Sequence, residues 1–198
     1  AMGGDNAPDA IVNGCIDAIK EQEGFDILLI GDSSKIEAIL KRRNFSNPRL
    51  RINHTDEIIT SHDTPTKAIK NKKNSSMVVG FNLLKQKKGD VFLSAGNSGA
   101  LLAGALLLIG RLKGVDRPAL GAIIPTKTGR TLIIDAGLNS VCKPINLLQF
   151  GTFGSIYMRE MFGIEQPKVG LVNIGSEESK GNDAIRQAFS LLLESKLN

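Results

Sequence analysis

The sequence predicts an α/β protein with a mostly parallel sheet and helices on both faces. Short apolar runs alternate with segments of helical spacing along all 198 residues, an order typical of parallel strands joined by helices. The runs are apolar throughout, which indicates that both faces of the sheet are buried. Hydrophobic residues make up 41% of the chain, enough for an ordinary core. We therefore expect a single α/β domain over residues 1–198.

Six short apolar runs are predicted strands because they end in glycine, proline or polar residues. They lie at residues 25–30, 50–53, 91–94, 120–125, 131–135 and 168–173. The predicted helices follow proline, serine or glycine turns and place apolar residues three and four apart. They lie at residues 8–19, 34–40, 65–70, 76–88, 100–111, 144–162 and 183–193. Ser33 or Ser34 is expected to cap the second helix.

Composition narrows the classes of partner. Aromatic residues are only 5% and Trp is absent, so a base-stacking surface for single-stranded nucleic acid is not expected. The net charge of +5 suits nucleic acid or an acidic protein. Of these two kinds of partner, we expect an acidic protein and not nucleic acid.

The cysteines and histidines suggest neither a disulfide framework nor a metal site. Cys15 and Cys142 have no metal-ligand spacing, and His54 and His62 lack a set of partner ligands. The longest apolar run, residues 100–109, is far shorter than the roughly 20 residues of a membrane span. A reduced cytoplasmic protein without metal or cofactor fits these observations best.

The first two of four polar turns are rich in glycine. Gly3 and Gly4 permit a tight turn, and a helix starting at Pro8 presents free N–H groups that can hold an anion. An ordinary tight loop explains these residues equally well. Residues 94–99 join a strand to a very apolar helix in the geometry of a phosphate cradle, without the Gly-Lys-Ser/Thr ending of a Walker loop. A plain strand–helix connection is only slightly less favoured there.

The other two turns also follow predicted strands. Asp135 and Asn139 enter a turn before Lys143, where an aspartate that only caps the turn fits equally well. Lys180 and Asn182 follow the last strand, either as a cation and an amide directed at one oxygen-rich ligand or as part of a solvated loop. Four such turns at the strand ends of one sheet, where ligands of these sheets bind, favour an anion site. The candidate phosphate or substrate ligands are Gly3, Gly4, Asp5, Asn6, Ser94, Gly96, Asn97, Ser98, Gly99, Asp135, Gly137, Asn139, Lys143, Asn173 and Gly175.

Several segments of the chain, taken together, carry a family resemblance. They are Met-Gly-Gly-Asp-Asn-Ala-Pro at 2–8, Lys-Lys-Asn-Ser-Ser-Met at 72–77, Ser-Ala-Gly-Asn-Ser-Gly-Ala at 94–100, Gly-Arg-Leu-Lys-Gly at 110–114 with Asp-Arg-Pro-Ala at 116–119, and Lys-Gly-Asn at 180–182. In sequence and order they resemble the signatures of the acyl-carrier-protein:phosphate acyltransferases, the PlsX family. The chain departs from that family's usual pattern at Leu138, Ser140 and Val141, where small apolar residues and an Asp are more common.

The resemblance implies a fold and an activity. The fold is similar to those of isopropylmalate dehydrogenases and phosphotransacetylases. The reaction implied is acyl-carrier protein plus inorganic phosphate giving acyl-phosphate for phospholipid synthesis. The resemblance also implies a homodimer in the cytoplasm, in peripheral contact with the inner face of the membrane through segments outside this chain.

Such a reaction needs neither a strong base nor a strong acid. A thiol leaving group has a pKa of about 8.5. A phosphate monoanion loses its next proton near neutrality, and its phosphoester analogue has a second pKa of about 6. Positioning of phosphate and donors to the oxyanion can supply most of the catalysis. We expect phosphate between the turns at Gly3–Gly4 and 96–98, with Asn97 and Ser98 donating hydrogen bonds to it. Lys180 and Asn182 are expected to stabilise the oxyanion or the second face of phosphate.

Acyl-carrier proteins are acidic, so some basic residues are expected to form their docking patch. The candidates, of which the last two are second choices, are Lys67, Lys70, Lys72, Lys73, Lys113 and Arg117.

Two other functions are compatible with the same residues. One is a phosphotransacetylase-like enzyme that uses acyl-coenzyme A. The other is a regulator that binds acyl-carrier protein or phosphate without turnover. A decarboxylating dehydrogenase is disfavoured, because the chain has no dinucleotide fingerprint and no carboxylate trio for a metal.

The resemblance also leads us to expect a longer working protein. The family places an apolar strand before Ala1 and further strand–helix units after Asn198. Residues 1–198 alone are therefore expected to fold poorly and to be inactive.

Overall fold

The protein is described by a computed structural model that covers residues 1–127, 129–175, 177 and 180–198. The chain divides into two compact units, Ala1–Gly110 and Arg111–Asn198. The α/β class is confirmed, since helices alternate with strands in the first half of the first unit, the first strand pair is parallel, and further helices and a second strand pair follow. The single catalytic domain expected over residues 1–198 stays a prediction.

The first half of the first unit is a parallel strand pair between helices. Helix α1 (Asp9–Glu21) leads to strand β1 (Ile27–Gly31), and helix α2 (Ser33–Arg42) leads to strand β2 (Leu50–His54). The two strands pair in parallel along their whole length. The buried stripe of α1, containing Val12 and Ile16, packs with Ile36 and Leu29 in one core cluster. This half follows the predicted βαβ pattern closely.

The second half of the first unit is helical. It contains α3 (Pro65–Asn71), α4 (Ser76–Lys85), α5 (Ser98–Gly104) and a π-helical turn (Ala105–Ile109). Ile69, Phe81 and Ala100 are buried together in a second core cluster. A Cβ atom on Gly104 would lie 2.3 Å from Cε2 of Phe81, so α5 can approach α4 this closely only with glycine at that position.

The second unit contains a hairpin and two helices. Strands β3 (Gly121–Thr126) and β4 (Gly129–Ile134) pair in antiparallel register. Helix α6 (Pro144–Phe162) begins and ends as predicted, and α7 (Asp183–Glu194) follows residues 173–182. The close packing of α6 is visible at Gly151, where a Cβ atom would lie 3.2 Å from both Leu192 and Val169.

Two predicted strands are wrong. Residues 91–94 and 168–173 lie outside any strand, and the described residues form only the pairs β1–β2 and β3–β4. Without a neighbouring strand, an extended segment cannot form the regular ladder of backbone hydrogen bonds that defines a strand. Phe92 anchors the first segment by stacking 5.0 Å from Phe81, while Val91 and Leu93 are exposed. The apolar residues at these positions predicted buried strands, but the sequence pattern does not show whether another segment lies beside them to pair with.

Some predicted helix ends are also corrected. Asp32, not Ser33 or Ser34, caps α2 by accepting a hydrogen bond from Lys35 N. Helix α4 ends at Lys85 instead of Lys88 because Lys87 takes a left-handed φ of 57°. The helix after residue 99 ends before Arg111, at Gly110 with φ 92°.

Candidate functional site

Two glycine turns in the first unit meet backbone to backbone. A Cβ atom on Gly96 would lie 2.4 Å from Gly4 N and 2.6 Å from Gly3 Cα. A Cβ atom on Gly3 would lie 2.9 Å from Gly96 N. Real Cβ atoms do not approach other atoms this closely, so the geometry of the contact requires glycine on both sides. The two turns that the sequence predicted as one site are therefore adjacent.

This contact lies beyond the carboxyl end of β1. The buried side chain of Met2 covers Gly31, the last residue of β1, where a Cβ atom would lie 2.6 Å from Met2 Cγ. Gly3 and Gly4 follow directly, and Gly4 has a left-handed φ of 92°. The position agrees with the rule that ligands of open α/β sheets bind outside the carboxyl ends of strands.

The first turn offers fewer free amides than the sequence suggested. Asp5 and Asn6 are exposed between Gly4 and α1. The N–H of Ala10 donates to Asn6 O at 2.9 Å, and that of Ala7 donates to Gly4 O at 3.3 Å. The N–H of Ala10 is therefore not among the free N–H groups of the helix start, because the helical hydrogen bonding already begins at Asn6.

The second turn is shaped by Ser94 and Asn97. Ser94 Oγ accepts a hydrogen bond from Gly96 N at 3.4 Å, and its hydroxyl donates to Gly96 O at 3.3 Å. Asn97 takes a left-handed φ of 41° and caps α5 by accepting from Ala100 N at 2.9 Å. A cavity of about 340 Å³ is lined by Ser94, Ala95, Gly96, Asn97, Ser98 and Leu101. All five candidate residues between 94 and 99 lie at or next to this cavity.

The carboxamide of Asn97 faces the protein. Its Nδ2 donates to Thr60 O at 2.7 Å, and its Oδ1 is occupied by the helix cap. Asn97 thus shapes the turn with both ends of its side chain. The N–H of Gly96 donates to Ser94 Oγ, so the backbone N–H groups of residues 97 and 98 and the exposed Ser98 are the groups placed to donate to a ligand.

The segment Lys72–Met77 secures the chain that precedes α3. Lys72 Nζ donates to Asp63 Oδ2 at 2.7 Å and to Ile58 O at 2.8 Å. Asn74 donates through its backbone to Glu57 and through its side chain to Asp56. Ser75, completely buried, caps α4. Sequence reasoning missed Thr60 and Asp63, because no local pattern marks which carboxylate a distant lysine contacts.

The predicted docking lysines differ in their surroundings. Lys67, Lys70 and Lys73 are exposed on or just after α3. The side chain of Lys72 is only 32% exposed and is held in the ion pair with Asp63. In the second unit Lys113 is exposed, and Arg117 donates to Val141 O at 3.2 Å.

In the second unit, Asp135 is the centre of a compact turn. Its carboxylate accepts hydrogen bonds from Leu120 N, Leu138 N and Asn139 N, and from Asn139 Nδ2. Asn139 Nδ2 also donates to Pro118 O. Partial burial opposes the charge of Asp135, yet these four hydrogen bonds outweigh it and hold the pKa of the carboxyl below its usual range. The geometry favours the interpretation of Asp135 as a residue that fixes the turn.

The start of α6 forms a second polar cluster that sequence reasoning missed. Asn146 is completely buried, and its Nδ2 donates to Asp116 Oδ2 at 2.7 Å while its Oδ1 accepts from Lys143 N at 2.9 Å. Gln149 accepts from Asp116 N and donates to Gly114 O. The hydrogen bond from Asn146 lowers the pKa of Asp116. The sequence did contain a signal for this cluster, namely Asn146 and Gln149, which lie three residues apart at the start of α6.

The turn before α7 contains the candidates Asn173, Gly175, Lys180 and Asn182, whereas Ser176, Glu178 and Ser179 lie outside the described residues. Asn173 Nδ2 donates to Lys180 O at 3.1 Å. Asn182 Oδ1 caps α7 by accepting from Ile185 N at 3.0 Å. Lys180 itself is exposed. The turn is thus held together by the two asparagines.

Both cysteine thiols are less reactive than an ordinary thiol. Burial raises the pKa of Cys15. Burial and the charge of Asp135 raise the pKa of Cys142. A raised pKa lowers the fraction of thiolate, the nucleophilic form. Among the described residues, no group of three or more His, Cys, Asp or Glu side chains is arranged to hold a metal ion.

Comparison with known protein families decides the family. The family described as "Fatty acid synthesis protein" matches residues 1–198. The chain belongs to this family. It is similar to phosphate acyltransferases of Acetivibrio thermocellus (68% identity), Thermoanaerobacter pseudethanolicus (48%) and Clostridioides difficile (48%). Each match covers all of this chain and 58% of the relative, so the chain spans less than two thirds of these relatives' length.

A solved structure supports the fold. The chain is similar to the EutD phosphotransacetylase from Staphylococcus aureus with a TM-score of 0.68 and 17% identity, over 96% of this chain and 63% of the other. The phosphotransacetylase-like fold implied by the family resemblance is thereby confirmed. In the described parts of the chain, no helix is both long and apolar enough to cross a membrane.

Proposed function

We propose that this fatty acid synthesis family protein is a phosphate acyltransferase that moves a fatty acyl group from acyl-carrier protein to inorganic phosphate. The product is an acyl-phosphate for phospholipid synthesis. The observation that carries the proposal is the backbone contact between Gly3–Gly4 and Gly96 beyond the end of β1. In a family whose members include phosphate acyltransferases, such a contact is best explained as a phosphate site.

The absence of side chains at this contact is what suits it to phosphate. Glycine has no Cβ to cover the backbone, so neighbouring N–H groups stay accessible to an anion. The cavity beside the contact is lined by the serine hydroxyls of Ser94 and Ser98, and both residues are exposed. Because the hydroxyl of Ser94 and the N–H of Gly96 are bonded within the turn, we propose that phosphate accepts hydrogen bonds from the hydroxyl of Ser98 and from the N–H groups of residues 97 and 98.

The proposed transfer is direct. An oxygen of phosphate attacks the thioester carbonyl carbon and forms a tetrahedral oxyanion. The C–S bond then breaks, the carbonyl re-forms, and the sulfur leaves as the thiolate of the carrier. The thiolate gains, through solvent, the proton that the phosphate loses, so the products are the acyl-phosphate and the free thiol. No residue becomes acylated, in agreement with the raised pKa values of Cys15 and Cys142. Positioning and oxyanion stabilisation supply the rate enhancement.

Lys180 and Asn182 remain our candidates for the donors that stabilise the oxyanion. They belong to the Lys-Gly-Asn segment that resembles the family signature. Asn182 Oδ1 accepts a hydrogen bond from Ile185 N and caps α7, and the Nδ2 group of the same side chain is the proposed donor to the oxyanion. Lys180 is exposed and contributes a full positive charge.

The donor in this proposal is an acidic acyl-carrier protein. Lys67, Lys70 and Lys73 form an exposed basic group around the end of α3. Lys72 is better explained by its ion pair with Asp63, so we restrict the proposed patch to the other three. From the family resemblance we also propose a cytoplasmic homodimer in peripheral contact with the membrane.

The deciding experiment measures acyl-phosphate formation by the full-length protein. Long-chain acyl-carrier protein, long-chain acyl-coenzyme A and acetyl-coenzyme A are compared as donors at equal concentration with inorganic phosphate. We expect the highest kcat/KM with acyl-carrier protein. A preference for acetyl-coenzyme A would instead indicate a phosphotransacetylase. Binding of carrier protein and phosphate without turnover would indicate a regulator.

A further inference from the structure

Behind the glycine contact, a chain of hydrogen bonds leads from the second turn to a partly buried ion pair. Asn97 takes a left-handed conformation, which asparagine tolerates better than most residues. Its Nδ2 donates to Thr60 O at 2.7 Å, so the carbonyl of Thr60 sets the orientation of the carboxamide. That carboxamide also caps α5 at Ala100 N. The shape of the turn therefore depends on where Thr60 lies.

Thr60 is in turn fixed by Asp63. The backbone N–H of Thr60 donates to Asp63 Oδ2 at 2.7 Å, and its hydroxyl donates to the same oxygen at 3.0 Å. Asp63 N also donates back to Thr60 O at 3.3 Å. These three contacts close residues 60–63 into one rigid turn. Outside that turn, Thr60 O keeps a second lone pair for Asn97.

Asp63 is held by Lys72. Lys72 Nζ donates to Asp63 Oδ2 at 2.7 Å and to Ile58 O at 2.8 Å, which links the segment before α3 to the residue that follows it. The side chains of Lys72 and Asp63 are only 32% and 24% exposed. By comparison, both partners of the Asp26–Arg51 pair are more than half exposed. Hydrogen bonds from Lys72 and from Thr60 N lower the pKa of Asp63 to about 2, so its carboxylate is charged at neutral pH.

We propose that Asp63 and Lys72 are positioning residues for phosphate: they fix Thr60, which orients Asn97 and so sets the turn at residues 96–98. Neither residue touches phosphate in this proposal. The inference rests on the proposed function for its catalytic consequence, but the effect on the turn itself is independent of it. It also explains Lys72, the first residue of the Lys-Lys-Asn segment, without assigning it to carrier-protein docking.

The test compares Asp63→Asn with Asp26→Asn in the full-length protein. Both changes remove one negative charge and one ion pair in the first unit. Asp26 precedes β1, whereas the glycine contact lies beyond the opposite end of that strand. The first readout is hydrogen–deuterium exchange of residues 94–101 without any ligand. We expect faster exchange there in Asp63→Asn and wild-type exchange in Asp26→Asn.

The second readout is kinetic. In Asp63→Asn, kcat/KM for inorganic phosphate should fall by about 10- to 10²-fold, the loss expected when a reacting group is displaced by about 1 Å. The fall should include a higher KM for phosphate with an unchanged KM for the acyl donor, whereas a general loss of folding would lower kcat and leave both KM values unchanged. Lys72→Met should act in the same way, and the double variant should be no worse than Asp63→Asn because both residues act through one contact.

Two results would overturn the proposal. One is wild-type exchange of residues 94–101 in both Asp63→Asn and Lys72→Met. The other is an equal rise in exchange across the whole first unit in both variants, since that would show a general structural role. If the wild-type protein forms no acyl-phosphate, the proposed function fails, while the exchange experiment still decides whether the ion pair positions the turn.

Discussion

At the scale of single residues, hydrogen bonding separates polar groups that hold a turn from polar groups that remain available. Asp135 accepts four hydrogen bonds, whereas Lys180 is exposed, although both follow predicted strands. A residue whose acceptors are all occupied cannot also receive a ligand without losing a contact. The two residues should therefore respond differently to substitution.

Replacing Asp135 with Asn is expected to lower stability. The substitution turns one acceptor into an NH2 group that faces the Asn139 or Leu120 donors, so at least one N–H loses its partner. We expect a lower melting temperature at pH 7 for Asp135→Asn than for Glu165→Gln, an exposed carboxylate of the same unit. Because the folded pKa of Asp135 is depressed, its contribution is present above about pH 3.9 and is lost as pH falls through the folded pKa. The difference in melting temperature between the wild type and Asp135→Asn should therefore shrink as the pH falls below about 3.9. A difference that stays constant with pH would contradict this prediction.

Replacing Lys180 with Ala is expected to affect turnover. One lost oxyanion donor reduces kcat by about 10²–10³, and an exposed lysine contributes little to folding. Steady-state kinetics of Lys180→Ala should show this fall with an unchanged melting temperature. Lys168→Ala, another exposed lysine of the same unit, should keep normal kcat. Near-normal turnover of Lys180→Ala would remove this residue from the mechanism.

At the scale of elements, glycine has different meanings at different positions. A Cβ atom added to Gly14, inside α1, would have no heavy atom within 4 Å, whereas a Cβ atom added to Gly96 would meet the backbone of Gly3 and Gly4. Helical glycine costs about 0.5–1 kcal/mol relative to alanine. The same substitution should therefore stabilise one element and displace another.

Gly96→Ala is expected to abolish most activity in the full-length protein. The methyl group would push the two turns apart, and a displacement of about 1 Å of reacting groups lowers the rate by up to ~10²-fold. Gly14→Ala is the matched control and should raise the free energy of unfolding by about 0.5–1 kcal/mol with unchanged kcat. The dependence of the rate on phosphate concentration measures the loss of activity, and thermal unfolding measures the change in stability, for both variants. Normal phosphate kinetics in Gly96→Ala would show that the contact is not the phosphate site.

The elements also show what the sequence can and cannot predict. Helix α6 is predictable from end to end because Pro144 starts it, Gly163 ends it and apolar residues recur at helical spacing. Residues 91–94 have an equally clear apolar pattern, but a strand needs a partner that can lie far away in sequence. The same limit applies to the site. Glycine turns revealed Gly3 and Gly96, whereas the contact of Asn97 with Thr60 spans 37 residues and involves a carbonyl that every residue has.

At the scale of the whole molecule, some basic side chains form ion pairs with carboxylates and others are exposed next to an apolar surface. Lys72, Arg42, Arg43 and Arg51 are each engaged by a carboxylate. Lys70 and Lys73 are exposed, and both border a mainly apolar cavity of about 400 Å³. A positive charge next to an apolar surface suits a partner that is acidic and carries a lipid chain. This arrangement supports the proposed docking of an acyl-carrier protein at the end of α3.

Charge reversal of the exposed lysines tests whether the carrier protein docks at this surface. Changing Lys70 and Lys73 to Glu should raise the KM for acyl-carrier protein far more than it lowers kcat, because rim charges mainly set the rate of association. The control changes Lys87 and Lys88 to Glu, which alters the net charge equally at the exposed end of α4. In the wild type and the control, kcat/KM should fall with rising salt, since salt screens charges about 10 Å apart at 0.1 M. In the Lys70 and Lys73 variant that dependence should be weaker or reversed, and an unchanged salt dependence would rule out this surface as the docking patch.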